Sequence, residues 1–81
     1  MKKLCVISGI AGDLGTAFSQ VFSENGFEIF GIDKSKPLSK SGVKFYQTDL
    51  NKIVADEKKK DDLFDAINCW KGKSKINILI N

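Results

Sequence analysis

Residues 8–15 read SGIAGDLG and place Gly9, Gly12 and Gly15 at every third position. Immediately before them runs the apolar stretch Leu4-Cys5-Val6-Ile7. Immediately after them Leu14, Ala17, Phe18, Val21 and Phe22 recur at helical spacing. The most permissive residues of the chain therefore sit between a strand and a helix, which is where a backbone must turn sharply or approach a ligand closely. No other stretch limits the possible folds as strongly. A strand, a tight glycine turn and an amphipathic helix begin a β-α-β unit.

The rest of the chain continues the alternation. Residues 3–8 form an apolar run suited to a parallel strand buried on both faces. The first helix is expected to stop at Asn25-Gly26, a left-handed terminator. Residues 27–33 (FEIFGID) read as a second strand, residues 34–42 (KSKPLSKSG) as a polar loop, and 43–48 (VKFYQT) as a third strand. From Lys52 to Lys75 the pattern is helical, with Leu63, Phe64, Ile67 and Trp70 on one face. Its start is ambiguous because Ile53 and Val54 fall out of phase; Asp56 or Asp61 could cap it. Residues 76–81 (INILIN) read as a fourth strand. The expectation is an α/β fold: a four-stranded parallel sheet with two main helices.

The three glycines then acquire distinct roles. A helix N-terminus presents unpaired N–H groups and partial positive charge, a ready site for an anion. Gly9 would permit the turn, Gly12 the approach of a diphosphate, and Gly15 the close packing of helix on sheet. Taken alone, the repeat is also compatible with a plain glycine-rich turn. Asp33 adds to it. It ends the second strand eighteen residues beyond Gly15, near the ~20 at which a dinucleotide fold places an acidic residue for the ribose hydroxyls. An Asp at a strand end can equally start a turn. The pairing of both features is more specific than either.

On these residues the sequence resembles the N-terminal part of a short-chain dehydrogenase/reductase. SGIAGDLG is similar to that family's Thr/Ser-Gly-x-x-Gly-x-x-Gly turn. FYQTDL resembles its third strand, whose Asp-Leu or Asp-Val end touches adenine, and INILIN resembles the strand leading into its Asn-Asn-Ala-Gly motif. The resemblance covers essentially the whole chain and implies a partial Rossmann fold with strand order 3-2-1-4. It implies cofactor contacts from Ser8, Gly9, Gly12, Asp13, Leu14, Gly15, Asp33, Asp49, Leu50 and Asn81. Asp13 departs from a comfortable diphosphate site, since a carboxylate repels phosphate; facing solvent, it would instead favour the first helical turn. Lys34 and Lys36 could hold the 2′-phosphate of NADP, but Asp33 would repel it, so NAD is the expected cofactor.

The same resemblance implies catalysis by a Ser and a Tyr-x-x-x-Lys pair. The one tyrosine, Tyr46, is followed four positions later by Leu50. The expectation is thus the adenosine-binding half of a dinucleotide-binding domain spanning residues 1–81, incomplete, weak in cofactor binding and inactive alone. A stand-alone nucleotide-binding module without chemistry is the alternative. A lysine-based interaction domain is a third.

Composition narrows the partners. The net charge is +3, every basic residue is Lys, and there is no His. Nucleic-acid recognition usually draws on Arg, and His-based triads are excluded. Cys5 and Cys69 lie far apart in regular segments, as suits reduced thiols in the cytoplasm. No apolar stretch nears the ~20 residues of a membrane span. Finally, a chain of 81 residues buries only about 60% of its unfolded surface. With INILIN expected at an open sheet edge, Ile76, Ile78, Leu79 and Ile80 would meet water, and a homodimer through that strand or the sheet face is expected.

Overall fold

The computed structural model describes residues 3–35 and 43–80. The elements run β1 (Lys3–Ser8), α1 (Asp13–Glu24), β2 (Phe27–Asp33), β3 (Val43–Gln47), α2 (Leu50–Ile53), α3 (Glu57–Lys71) and β4 (Ile76–Ile80). The four strands form one parallel sheet in the order β3-β2-β1-β4. Neighbours in sequence lie beside each other on one side of β1, and β4 crosses over to the other side.

β1 sits centrally, and the continuous apolar run has its reason there. Cys5 and Ile7 point to one face with Ile29 and Ile10; Val6 points to the other with Phe30 and Ile32. All four residues from Leu4 to Ile7 are buried. One face is covered by α1, whose Phe22 packs edge-on against Phe27 at 5.2 Å between ring centroids. The other is covered by α2 and α3 through Ile53, Leu63, Ile67 and Trp70, with Trp70 5.4 Å from Phe30.

The helical segment expected from Lys52 to Lys75 is divided. Asp49 caps α2, its carboxylate accepting from the Asn51 N–H at 3.0 Å, and Asp56 caps α3, accepting from the Lys59 N–H at 3.1 Å. Each Asp is a local competitor that starts a new helix, so Ile53 and Val54 are out of phase because they precede a second start. The break lets Ile53 join the core while Val54 points to solvent. Gly72 ends α3 with a positive φ of 56°, and Gly26 follows α1 with φ 83°.

Two apolar stripes read differently in three dimensions. On α1 the residues facing the sheet are Gly15, Ser19 and, partly, Phe22. Leu14 remains 71% exposed and Val21 52% exposed. On α3, Phe64 stands 57% exposed beside buried Leu63. A Cβ on Gly15 would already meet the backbone of Gly9 and Ile10, so the inner face of the first turn of α1 has no room for a large side chain. Small residues take the inner face and displace the apolar stripe sideways.

β4 contains an irregularity opposite the start of β1. Leu4 is opposite Ile76 but Cys5 is opposite Ile78, and the displaced Asn77 accepts the Leu4 N–H through Oδ1 at 2.9 Å. The outer side of β4 is an edge of the four-stranded sheet, with Leu79 71% and Ile76 38% exposed.

Candidate functional site: the glycine turn at the carboxyl end of the sheet

The turn after β1 is tied to β2 residue by residue. The Gly9 and Ile10 N–H groups both donate to the Ile32 carbonyl, at 2.7 and 3.3 Å. The Ile10 side chain dives into the core, only 2% exposed, and lies over Gly31. A Cβ on Gly31 would press on Ile10 Cγ2 at 3.0 Å and Cβ at 3.2 Å. The Ala11 N–H donates to Asp33 Oδ2 at 2.9 Å. Three successive residues of β2 thus hold three successive residues of the turn. Thr16 adds a bond from the helix side, its hydroxyl donating to the Ile10 carbonyl at 3.2 Å.

The glycines occupy three different environments. Gly9 has φ 70°, the left-handed region that favours glycine, with open space around its missing Cβ. Gly15 faces the turn: a Cβ there would collide with the Gly9 carbonyl oxygen and sit 2.8 Å from Ile10 Cα. Gly12 is exposed, with φ −75° and ψ 169°, ordinary extended values. A Cβ on Gly12 would come no nearer than 3.4 Å to any neighbour, the Gly9 carbonyl oxygen. The fold itself therefore demands Gly9 and Gly15. It does not demand Gly12.

Gly12 is also the N-cap of α1, and no side chain caps this end. The Thr16 N–H closes the first helical bond onto the Gly12 carbonyl at 2.9 Å, so the N–H groups of Asp13, Leu14 and Gly15 precede the ladder and point out of the helix. Asp13 is exposed at the first helical position, where its charge suits the dipole. The open approach over Gly12 and the first-turn N–H groups are the features a diphosphate would need at this end of α1.

Asp33 stands next to that opening, half-buried at the end of β2. Its Oδ2 accepts from Ala11 and its Oδ1 from the Ser35 N–H at 3.2 Å. Burial pushes the carboxyl up, but backbone bonds from Ser35, Ala11 and Lys34, with the Lys34 charge, outweigh it and hold the pKa below the ordinary carboxylate value. Asp33 is ionised at neutral pH. Its neighbour Lys34 is exposed, with its carbonyl accepting from Gln47 Nε2 at 3.1 Å; Lys36 lies outside the described residues.

The remaining sequence-derived positions flank the turn. Ser8, at the end of β1, donates through its hydroxyl to the Ile80 carbonyl at 3.3 Å. Asp49 and Leu50 follow β3, which joins β2 through the Thr48 N–H donating to the Asp33 carbonyl at 2.9 Å; the Asp49 carboxylate is engaged as the α2 cap. Asn81 lies outside the described residues. Sequence reasoning missed Ile10, Ala11 and Gly31. A glycine inside a strand signals a close approach, so Gly31 was legible; Ala11 takes part through its backbone N–H and carries no side-chain signal.

Elsewhere the thiols offer little. Cys5 is buried, which pushes its pKa up, and Cys69 is an exposed free thiol on α3. Among the described residues no group of three or more acidic or cysteine side chains could hold a metal ion. No described helix is long and apolar enough to cross a membrane.

No family model matches the sequence. Among solved structures, the chain is similar to a short chain dehydrogenase from Leptospira borgpetersenii serovar Hardjo-bovis, crystallised with bound NAD+. The TM-score is 0.78 at 19% identity, over 100% of this chain and 31% of that one. The chain thus spans about a third of the length of this neighbour. The likeness establishes architecture: the described residues form a partial Rossmann fold, with the glycine turn at the carboxyl end of its central strand.

Proposed function

We propose that these 81 residues are the adenosine-binding half of an NAD-dependent oxidoreductase of the short-chain dehydrogenase/reductase kind. One observation carries the reading: the uncapped N-terminus of α1 opens over Gly12 beside the ionised Asp33. The first-turn N–H groups of Asp13, Leu14 and Gly15 would hold the diphosphate, and Asp33 would take the adenosine ribose hydroxyls. Asp49 and Leu50 would flank the adenine, and Ser8 and Asn81 would border the site along β1 and β4. Bound NAD would supply the hydride-accepting ring. This chain's residues bind and orient its other half.

The Asp33 charge opposes a 2′-phosphate, so NAD is preferred to NADP. Affinity is weak, because the contacts named above serve only the adenosine and diphosphate part of the cofactor. A second reading, a nucleotide-binding module without chemistry, rests on Tyr46. This tyrosine is half-buried in β3 with its ring 6.1 Å from that of Phe30, and no lysine follows it at the spacing of a Tyr-x-x-x-Lys pair. For the 81-residue polypeptide by itself the expected outcome is no alcohol oxidation, checked by NADH absorbance.

Titration of the labelled polypeptide with NAD, ADP-ribose and AMP, followed by amide NMR, tests the site. All three ligands should compete and move the signals of Gly9, Gly12 and Asp33, with NADP weaker than NAD. Unmoved loop signals at millimolar NAD would refute the reading.

A further inference from the structure

We infer that Asp33 is a positioning residue for the glycine turn as well as a ribose ligand, so that one carboxylate serves both the sugar and the diphosphate subsites. The ribose role rests on the function proposed above; the positioning role rests on the geometry of the chain itself. The Ala11 N–H donates to Asp33 Oδ2 at 2.9 Å, and Ala11 immediately precedes Gly12, the residue over which the α1 N-terminus opens. Around this bond the turn is already constrained by Ile10 over Gly31 and by the Gly9 and Ile10 N–H groups on the Ile32 carbonyl. Beyond Ile10, the Ala11 bond to Asp33 is what ties the turn to β2. Its geometry is itself supported, because Oδ1 is held by the Ser35 N–H at 3.2 Å.

Without that acceptor, the Ala11 N–H would lose its tie to β2; the Gly12 N–H on the Gly9 carbonyl at 3.1 Å and the two Thr16 bonds would still hold the turn to itself and to α1, but its register against β2 beyond Ile10 would loosen. The electrostatic effect of losing the carboxylate runs the other way. A negative charge beside an anion site repels the anion, so a carboxylate acting on ribose alone should weaken the binding of a ligand that has phosphate but no sugar. The two roles therefore predict opposite signs for inorganic pyrophosphate.

The experiment compares the wild-type polypeptide with Asp33→Ala and Asp33→Asn. Both variants lose the charge; only Asn keeps an oxygen that can accept from Ala11. The first readout is water exchange of the Ala11 amide by NMR with no ligand present. Loss of a charge-assisted bond should speed exchange about 10-fold or more in Asp33→Ala, with most of the protection restored in Asp33→Asn. The second is pyrophosphate affinity, which should be several-fold weaker in Asp33→Ala than in Asp33→Asn. Equal Ala11 exchange in all three proteins would overturn the positioning role. So would pyrophosphate binding to Asp33→Ala as tight as to Asp33→Asn. If Ala11 exchange follows the expected order but neither pyrophosphate nor NAD binds the wild type, the positioning role stands and the nucleotide reading fails.

Discussion

Gly15→Ala should cost this fold a large part of its stability. Its added Cβ would fall against backbone: the Gly9 carbonyl oxygen, Ile10 Cα at 2.8 Å and the Gly9 carbonyl carbon at 2.9 Å. A flexible side chain could swing away, but these atoms cannot. Gly9 and Ile10 are bonded to the Ile32 carbonyl, and Ile10 is seated over Gly31. Relief therefore requires α1 to move away from the turn, which would loosen Ser19 and Phe22 on the sheet. Overpacking of this kind costs about 1–3 kcal/mol, and a rigid backbone neighbour places Gly15→Ala near 3. A domain of 81 residues has roughly 4–12 kcal/mol in total. Each kcal/mol moves the melting midpoint about 4–8 °C at this size, so a fall of at least ~10 °C is expected. Trp70, half-buried against Phe30, reports unfolding in urea through its fluorescence. Gly12→Ala is the internal control, since its Cβ meets nothing nearer than 3.4 Å; its stability should stay within about 1 kcal/mol of wild type. An unfolding midpoint for Gly15→Ala equal to wild type, at unchanged slope, would show that α1 does not pack on the turn as described.

Gly12→Ser should move stability and binding in opposite directions: a side-chain cap and a less flexible unfolded chain add about 0.5–1 kcal/mol, while NAD binding weakens, as paired urea and NMR titrations would register. Acid should act partly through Asp33. Its pKa is lowered by folding, so its stabilisation is complete above the unfolded value near ~4 and is lost as pH falls through the lower folded value; Asp33→Asn should therefore show a shallower loss of Trp70-monitored stability below about pH 4. The 81-residue polypeptide should form a homodimer through the β4 edge, where Leu79 and Ile76 are exposed. Light scattering should give twice the 9.0 kDa mass at tens of micromolar and a shift toward monomer for Leu79→Lys; a wild-type monomer at that concentration would exclude it.

Much of the architecture could be read from the residues because pattern and packing agree there. The run from Leu4 to Ile7 is buried on both faces because β1 is central. Gly26 follows α1 with a positive φ, the conformation for which Asn25-Gly26 reads as a helix stop. The inner face of α1 departs from its apolar stripe because hydrophobicity reports which side chains avoid water, not which can fit beneath a helix. Gly15 and Ser19 take the inner face on grounds of size, so Leu14 and Val21 are left at the flank despite being apolar. Likewise, two Asp caps divide a single helical pattern into α2 and α3, and nothing in periodicity alone selects between one helix start and two.

The candidate site divides along the same line. Glycine signals backbone geometry, so Gly9 and Gly15 were legible as requirements of the turn. The spacing of the dinucleotide motif gives the three glycines separate expected roles, but the letter itself does not distinguish a glycine needed by the fold from one needed by a ligand. The environments separate them: Gly15 is enclosed by backbone, whereas Gly12 is exposed, at ordinary extended angles, with room for a Cβ. Gly12 stands where its own fold would accept a side chain, at an uncapped helix end beside an ionised carboxylate, and this is what supports the proposed approach of a diphosphate there. This is why Gly12→Ser is the sharper probe of function and Gly15→Ala of structure. A result in which Gly12→Ser stabilised the fold and left NAD binding intact would return Gly12 to the status of a plain turn residue.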